Sequence, residues 1–350
     1  MPTTLIDRSP FGELDGKTVE RFTLENESGL FVALINYGAA IQELWFQDSA
    51  GTRNNLVLGF KTFAEYRGKN PHFGSVLGRY ANRIRDARFP LDGEIIHVTA
   101  NRPPISAHGG ARPFDKYVWD AEVVETGDGT GVRFSHVSPD GDEGYPGTFQ
   151  VSVTYTLTAE NGLKLAYEAT TDKPTIHNLT NHCYFNLRGE ENGVVDDQVL
   201  QVFASAFAEA DPDQLMTGNL ISLDGNSLDF RQPKRIAEVM RDASNPQVAL
   251  ARGIDQCFLL DRDDPSDASL ILAARLEDPG SGRVMEVLTT EPGVQIYSSN
   301  SLDGSVAGFS GRLYRQSDAI CFETQHLPDS ANHPNFPSTV LRPGETYAST

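Results

Sequence analysis

The sequence is poor in cysteine and in long apolar runs, and each shortage narrows the class of protein it can be. Its 350 residues include 3 cysteines, none in a Cys-X-X-Cys pair, which argues against a disulfide framework. We expect Cys183, Cys257 and Cys321 to be buried as small hydrophobic residues in a reducing compartment, which predicts a cytoplasmic protein. No stretch approaches the ~20 apolar residues that span a bilayer, and the first residues do not resemble a secretory signal.

Basic residues are also in short supply. The chain has 29 Lys and Arg against 48 Asp and Glu, a formal net charge of -19. Such a field repels phosphate backbones and anionic lipids, so we expect neither nucleic acid nor a membrane as partner. Nucleotide-binding glycine motifs, HExxH metal sites and serine nucleophile elbows are absent from the sequence. We therefore expect no cofactor and no metal.

What the sequence does contain is a period of two. Apolar and polar residues alternate over 149–157 and 163–169 on either side of an Asn-Gly pair, which predicts a β-hairpin. Asp92-Gly93 predicts a second hairpin in the same way. Helical patterns are weak and confined to 61–66 and 234–241. Further predicted strands cover 30–37, 41–46, 117–124, 131–137, 194–207, 269–276, 285–290 and 295–298.

These patterns predict an all-β protein built from large antiparallel sheets with a few short helices. Turn residues recur at the spacing typical of sandwiches and barrels, and no linker or repeat interrupts the pattern. We therefore expect residues 1–350 to form a single domain. Its functional residues should lie on a sheet face or on the adjoining loops.

Two of the eight histidines lie in unusual surroundings. His108 precedes two glycines, which allow a ligand to approach the backbone closely. His182 lies in NLTNHCYFNL, a run rich in amides and aromatic rings, as a sugar site requires. The residue types alone leave a structural role equally open for both. For His72, His97, His136 and His177 the sequence favours a structural role.

Among the acidic residues, Glu323 follows a strongly apolar approach, and alternation places it on the face opposite Phe322. Partial burial would raise its pKa towards the range useful for a general base. Asp255 is a second acid beside an apolar segment. Arg79 and Arg83 bring donors close to Asn82. The loop PDGDEGYPG resembles a calcium loop but lacks the later bidentate glutamate.

Six runs, in order along the chain, resemble the aldose 1-epimerase (galactose mutarotase) family. The resemblance implies a galactose-mutarotase-like supersandwich that interconverts the α and β anomers of free aldoses without a cofactor. It also implies that Glu323 is the general base and His182 the general acid. The runs are GRYANRI (78–84), HGG (108–110), PDGDEGYPG (139–147), NLTNHCYFNL (178–187), EPGVQIYSSN (291–300) and ETQH (323–326). The sugar-binding positions that it implies are Asn82, Arg83, His108, Tyr184, Asp255 and Gln295.

This chemistry suits the residue types, since mutarotation removes the O1 proton and protonates the ring oxygen. We expect base and acid on opposite sides of C1, converging across a cleft. Around Asp255, Ile254 and Gln256 stand where the family commonly has an aromatic residue and a histidine, so the preferred aldose stays open. The alternatives are a hexose-6-phosphate mutarotase, a non-catalytic carbohydrate-binding sandwich and a glycoside hydrolase. The expected partner is a small aldose, and the protein is expected to be a monomer or homodimer.

Overall fold

The structure of the protein is a computed structural model that describes residues 5–264 and 267–350. Strands dominate it, which confirms the predicted all-β class. No helix in the described ranges has the length and apolarity to cross a bilayer. The α-helices of the described ranges are Phe63–Arg67, Ala237–Met240 and Pro246–Ala251, and the 3-10 turns are Arg85–Ala87, Phe114–Lys116, Asp142–Gly144 and Ser330–Asn332.

Four larger antiparallel sheets make up most of the molecule. In spatial order the first contains Leu5–Leu14, Lys17–Glu25, Phe31–Ile35, Ala40–Gln47 and Arg53–Asn55. The second contains Asp120–Thr126, Gly129–Ser138, Phe149–Leu157, Leu163–Thr171 and Tyr347–Ser349. The third, here called the central sheet, contains Tyr184–Phe185, Ile320–Gln325, Gly293–Tyr297, Asp255–Leu260, Ala204–Ala210 and Met216–Ser222. The fourth contains Lys234–Arg235, Val199–Val202, Ile271–Asp278 and Arg283–Thr289.

Short two-stranded pairs connect and flank these sheets. They are Val76–Leu77 with Thr180–Asn181, Arg83–Ile84 with Ser106–Ala107, Arg88–Leu91 with Glu94–His97, Thr175–Ile176 with Val340–Leu341, and Asp303–Ala307 with Leu313–Arg315. In the first of these pairs, strand Thr180–Asn181 also contacts strand Ile320–Gln325 of the central sheet.

Both predicted hairpins are confirmed. Leu157 pairs with Leu163 across the loop that contains Asn161-Gly162. Leu91 pairs with Glu94 across a two-residue turn in which Asp92 has φ 50° and Gly93 φ 87°. Positive φ at both central residues is what a tight hairpin turn requires, and Asp and Gly tolerate it. Asp15-Gly16 forms a similar turn between the first two strands, a hairpin that the sequence analysis missed.

Other boundaries differ from the prediction. The predicted strand 194–207 is two strands: Val199–Val202 joins the fourth sheet, whereas Ala204–Ala210 joins the central sheet. The segment 234–241 begins with two strand residues, and only four residues are helical. Helix Pro246–Ala251 was not predicted, although the Asn245 side chain caps it by accepting a hydrogen bond from the Gln247 amide. That arrangement is a standard helix start, with proline at the first helical position.

The central sheet has one apolar and one polar face near its middle. Phe258, Ile296 and Phe322 point into a large hydrophobic cluster shared with the fourth sheet. Alternation along the strands then directs their sequence neighbours to the other face. That face carries Glu323, as predicted, and strand Thr180–Asn181 packs beside the strand of Glu323. The fold thus sets polar side chains between a rigid sheet and a layer of loops.

Candidate functional site

Three adjacent strands of the central sheet present a row of polar side chains. Gln295 lies directly opposite Glu323 on the neighbouring strand, and Cys257 lies opposite Gln295 on the other side. Asp255 is two residues before Cys257, so it shares the same face one step along. The Gln295 amide donates a hydrogen bond of 2.6 Å to Asp255 Oδ1. Cross-strand neighbours on one face pack against each other, so the sheet register itself assembles this row.

His182 meets this row at Glu323. It lies between strands Thr180–Asn181 and Tyr184–Phe185, the latter pairing with the strand of Glu323. His182 Nε2 is 3.6 Å from Glu323 Oε1, with side-chain exposures of 6% and 3%. Glu323 Oε2 is buried and has no hydrogen-bond partner among the described residues. An unsatisfied buried carboxyl oxygen is uncommon and is typical of a position that a ligand completes.

Burial acts on the protonation of both groups. It raises the pKa of Glu323 well above its usual range, and nearby Asp255 adds to the effect while Arg83 opposes it. Burial also lowers the pKa of His182 to about 3, helped by the neighbouring His72. Of the two groups, the carboxyl group of Glu323 therefore holds a proton more tightly than the imidazole of His182. A carboxylate with an imidazolium holds the same number of protons as the neutral pair, so one transfer between neighbouring groups converts one form into the other.

The imidazole of His182 is held from behind. The ring of Tyr184 stacks on it with centroids 4.9 Å apart and planes at 27°. The Tyr184 hydroxyl donates to the carbonyl oxygen of Pro71, and the whole residue is only 2% exposed. Cys321 Sγ lies 3.7 Å from His182 Nδ1. Tyr184 thus lies behind the imidazole and orients the ring; that it also binds the sugar directly, as the resemblance implies, stays a prediction.

The opposite wall of the site is formed by Asn82, Arg83 and His108. The His108 amide donates to the Asn82 carbonyl at 2.8 Å, and the Asn82 amide donates to His108 Nδ1 at 3.2 Å. Since Nδ1 accepts a hydrogen bond, the ring proton of the neutral form is on Nε2, and this atom is a donor. Burial and the adjacent His72 and His182 lower the pKa of His108, which favours this neutral form.

Steric crowding requires glycine at the position after His108. A Cβ at Gly109 would lie 2.0 Å from the carbonyl oxygen of Gly78, and its φ is +101°. No other residue fits such a close approach with that backbone conformation. The His-Gly-Gly run therefore holds His108 against the segment of Asn82.

The guanidinium of Arg83 lies between two groups. Its Nη2 is 3.6 Å from Asp255 Oδ2 and donates to Gln214 Oε1 at 3.2 Å. A narrow cleft continues beyond it, lined among others by Gln214, Gln247 and Leu250. Arg79 is predicted, with Arg83, to bring donors close to Asn82, but it points away from the site. It is buried and donates to the carbonyl oxygens of residues 138, 139, 146 and 147, so it holds the PDGDEGYPG loop in place.

The described part of the chain gives no support for a metal site. Within residues 5–264 and 267–350, no group of three or more His, Cys, Asp or Glu side chains is arranged to hold a metal ion. The PDGDEGYPG loop instead uses its acids on protein donors: Asp140 accepts from the Gly147 amide and Glu143 from the amides of Ala111 and Arg112.

Sequence reasoning missed two aromatic residues of the site. His72, which the sequence favoured as structural, has its ring centroid 5.1 Å from that of His108 and 5.9 Å from that of His182. Tyr297 packs edge-on against His182 at 6.1 Å. Its place opposite Asp255 on the next strand could have been found only with the sheet register. No local signal in the sequence marks His72.

The other three histidines favoured as structural lie in ordinary surroundings. His136 packs against Tyr117 at a centroid distance of 4.5 Å, and His177 Nδ1 lies 3.0 Å from the Thr339 carbonyl oxygen. His97 is exposed at the end of a strand.

Comparison with known proteins shows the family to which the chain belongs. The family model described as "Aldose 1-epimerase" matches residues 20–350. The galactose mutarotase of Rattus norvegicus is 40% identical over 344 residues, which are 98% of this chain and 96% of that protein. The aldose 1-epimerase of Escherichia coli (strain K12) is 34% identical over 348 residues, 99% of this chain and 97% of that protein.

Solved structures agree with the fold. The crystal structure of galactose 1-epimerase from Lactobacillus acidophilus NCFM matches with a TM-score of 0.86 at 27% identity, covering 99% of this chain and 97% of that one. The crystal structure of the GalM/aldose epimerase homologue from C. elegans matches with a TM-score of 0.82 at 29% identity, covering 92% and 94%. The predicted galactose-mutarotase-like architecture is therefore confirmed.

Proposed function

Because the chain belongs to the aldose 1-epimerase family, we propose that it interconverts the α and β anomers of free aldoses such as galactose or glucose. The observation that carries this proposal is the contact between a buried carboxyl and a buried imidazole, Glu323 and His182, 3.6 Å apart. One carboxyl oxygen of that pair has no partner among the described residues. An acid and a base at this spacing can serve two atoms of one small ligand.

The reaction follows from the positions of the two groups. O1 and the ring oxygen O5 are both bonded to C1, so neighbouring groups on one wall can reach both, and opposite sides of C1 are not required. In the reactive form Glu323 is a carboxylate and His182 an imidazolium. Glu323 takes the O1 proton while His182 protonates O5, the C1–O5 bond breaks, and C1 becomes an aldehyde. Rotation about C1–C2 and the reverse transfers close the ring to the other anomer. Each such proton transfer is typically worth about 10²–10⁴-fold in rate.

The reactive form depends on what the sugar offers. A hydroxyl that donates to the unsatisfied oxygen of Glu323 stabilises its carboxylate, because hydrogen bonds to a charged form favour that form. The proton displaced from Glu323 is then held by His182, which Tyr184 keeps in plane. Binding and activation are coupled in this way.

The remaining site residues hold the hydroxyls. His108 presents a donor at Nε2, and Arg83 presents a guanidinium. Asp255 supplies acceptors and is fixed by Gln295 at 2.6 Å. Asn82 links the two walls, since its amide nitrogen donates to Gln295 Oε1 at 3.3 Å. Alternating donors and acceptors suit the vicinal hydroxyls of a pyranose.

A phosphorylated hexose fits this site less well. The described side chains that surround the acid–base pair include one guanidinium, Arg83, and Asp255 faces it at 3.6 Å. A phosphate of charge near −2 usually requires several cationic donors. A purely binding role would not require a buried imidazole 3.6 Å from the buried carboxyl group of Glu323. A glycoside hydrolase would need a second free carboxyl, whereas Asp255 is engaged by Gln295 and Arg83.

Three predictions from the sequence stay predictions: that residues 1–350 are one domain, that the protein is cytoplasmic, and that it is a monomer or homodimer. Neither cofactor nor metal enters the proposed reaction. The partner of the site is a small aldose.

Polarimetry tests the function directly. Purified protein, dialysed against a chelator, is added to freshly dissolved α-D-galactose or α-D-glucose, and the decay of optical rotation is followed. We expect a strong acceleration over the spontaneous rate for at least one free aldose, and a much weaker one for glucose 6-phosphate. No acceleration with any free aldose would reject the proposal.

A further inference from the structure

His72 occupies a position at the site that the acid–base pair and the row of strand residues do not account for. Its Nδ1 is 2.7 Å from Asp115 Oδ2, and its side chain remains 20% exposed. Its ring lies beside those of both His108 and His182, at centroid distances of 5.1 and 5.9 Å. The part of the chain that the structure describes offers no hydrogen-bond partner to its Nε2. Nδ1 of the imidazole is thus fixed by Asp115, whereas Nε2 has no hydrogen-bond partner among the described residues.

Asp115 determines what that free atom can do. A carboxylate only accepts hydrogen bonds, so His72 must donate from Nδ1. In the neutral ring Nε2 is then an acceptor, the reverse of His108, where Nδ1 accepts and Nε2 donates. Two adjacent imidazoles with opposite tautomers present an acceptor beside a donor. A hydroxyl group, which donates one hydrogen bond and accepts others, matches such a pair.

The contact between His72 and Asp115 requires a buried charge and an unfavourable backbone conformation, which a purely structural contact does not need. Asp115 is fully buried, and burial alone would favour its neutral form, but His72 and Lys116 hold its pKa below the ordinary value. His72 itself has φ 67°, a left-handed conformation that is uncommon outside glycine. Strained backbone and a buried charge persist where the surroundings require them, and both are concentrated at functional sites.

The contacts also place His72 on a closed perimeter. From His182 the chain of neighbours runs to Glu323 at 3.6 Å, and the row of strand residues ends at Asp255, which faces Arg83 at 3.6 Å. From there the perimeter returns through Asn82 and His108 to His72 and back to His182. A molecule that contacts the other members of this perimeter lies within reach of His72.

We propose that His72 is a further sugar-contacting residue, whose Nε2 accepts a hydrogen bond from one hydroxyl of the bound aldose while Asp115 fixes its tautomer. The proposal rests on the proposed function, because it names an additional contact of the same site. It predicts that His72 contributes to the choice among aldoses through a single hydroxyl.

The test is a comparison of enzyme variants with deoxy sugars. His72→Asn keeps an amide near the Nδ1 position for Asp115 but removes the Nε2 position, whereas His72→Gln places an amide near Nε2. Polarimetric kcat/KM is measured with galactose and with its 2-, 3-, 4- and 6-deoxy analogues. A neutral hydrogen bond is worth about 1 kcal/mol, so we expect H72N to lose roughly fivefold on galactose and H72Q to lose less. For one deoxy sugar, wild type and H72N should become nearly equal.

The controls separate the possible failures. His97→Asn, an exposed histidine outside the site, should change none of these values. Equal losses for H72N on every sugar, or no loss at all, would overturn the contact, since a structural role does not depend on one hydroxyl. If H72N does not fold, H72F, which also lacks Nε2, takes its place in the comparison with H72Q. Failure of wild type to accelerate any free aldose would instead contradict the proposed function.

Discussion

Two carboxylate–imidazole pairs flank one strand of the central sheet, and they are built in opposite ways. Glu323, within strand Ile320–Gln325, lies 3.6 Å from His182 Nε2 and has one oxygen without a partner among the described residues. His326, directly after that strand, has its Nδ1 2.8 Å from Glu291 Oε2. The other oxygen of Glu291 accepts from the Tyr347 hydroxyl at 2.6 Å. The carboxyl oxygens of Glu291 both have hydrogen-bond partners, whereas one carboxyl oxygen of Glu323 has none among the described residues.

The pKa values follow this difference. Both carboxyl groups are buried, and burial favours the neutral acid in each. For Glu291 the hydrogen bonds and charge of His326, with help from Ser349 and Tyr347, outweigh burial and lower the pKa to about 2. For Glu323 nothing comparable opposes burial, so its pKa is raised. Burial alone therefore does not decide the pKa of a carboxyl group; the hydrogen bonds and charges around it decide whether the pKa rises or falls.

The satisfied pair has a structural task. Tyr347 belongs to the last described strand, Tyr347–Ser349, which pairs with Leu163–Thr171. The ring of His177 packs edge-on against Tyr347 at 4.3 Å. Glu291 thus fastens the second sheet to the central one, and its substitution should affect stability before activity.

The largest effect expected is on activity at the unsatisfied pair. Glu323→Gln removes the base and keeps the shape, so kcat for galactose should fall by about 10²–10⁴-fold. The free energy of unfolding should stay the same or rise, because the amide keeps the shape of the buried carboxyl group and cannot become charged there. Polarimetry and urea denaturation measure the two quantities. A nearly normal kcat in a folded E323Q protein would remove Glu323 from the chemistry.

His182→Asn should reduce kcat to a similar degree, since the proton for O5 is lost. The stack on Tyr184 is lost as well, so we expect a modest decrease in the unfolding free energy, of about 1 kcal/mol. Near-ultraviolet circular dichroism confirms that the site remains folded. A variant with normal kcat and a raised KM would show that His182 only binds the sugar.

The satisfied pair should respond in the reverse manner. Glu291→Gln breaks a buried charge-assisted pair, which typically destabilises a protein by about 3–5 kcal/mol. The unfolding free energy should fall by about that amount, while kcat of the remaining folded protein changes little. Urea denaturation and polarimetry at low temperature measure both. A large loss of kcat with unchanged stability would show that the two pairs are not distinct.

The smallest expected effect is a difference in pH dependence. Glu291 has a depressed folded pKa, so its stabilisation is present above the unfolded value near 4.5 and is lost as the pH falls towards 2. Glu323 has a raised folded pKa, so its contribution is greatest below the unfolded value and is lost as the pH rises. E291Q should therefore flatten the acid limb of the stability profile, and E323Q the limb above pH 4.5. Identical profiles for both variants would contradict the opposite directions.

The sequence was sufficient where the signal is local. Alternation predicted that Glu323 faces away from Phe322, and the core contact of Phe322 agrees. Asn-Gly and Asp-Gly pairs predicted both hairpins, because those residues tolerate positive φ. The two glycines after His108 predicted that a ligand approaches the backbone, and this stays a prediction; the close neighbour that the structure gives Gly109 is the carbonyl oxygen of Gly78.

The rest depends on contacts between distant parts of the chain. His72 owes its orientation to Asp115, 43 residues away, and no spacing rule connects them. Arg79 lies in the correct run, but its guanidinium points to the PDGDEGYPG loop. Tyr184 lies opposite Cys321, so it stays on the face of Glu323 and packs behind His182. The strand predicted at 194–207 divides between two sheets, a consequence of packing that hydrophobic pattern alone does not contain.

The most direct test of the pair at the centre of the site is a double-mutant cycle. Initial polarimetric rates with α-D-galactose are compared for wild type, E323Q, H182N and the double variant. Groups that act as one unit on one carbon give losses that do not add, so the double variant should be about as slow as the slower single variant. Losses that multiply would show that Glu323 and His182 act independently, and the proposed acid–base pair would be wrong.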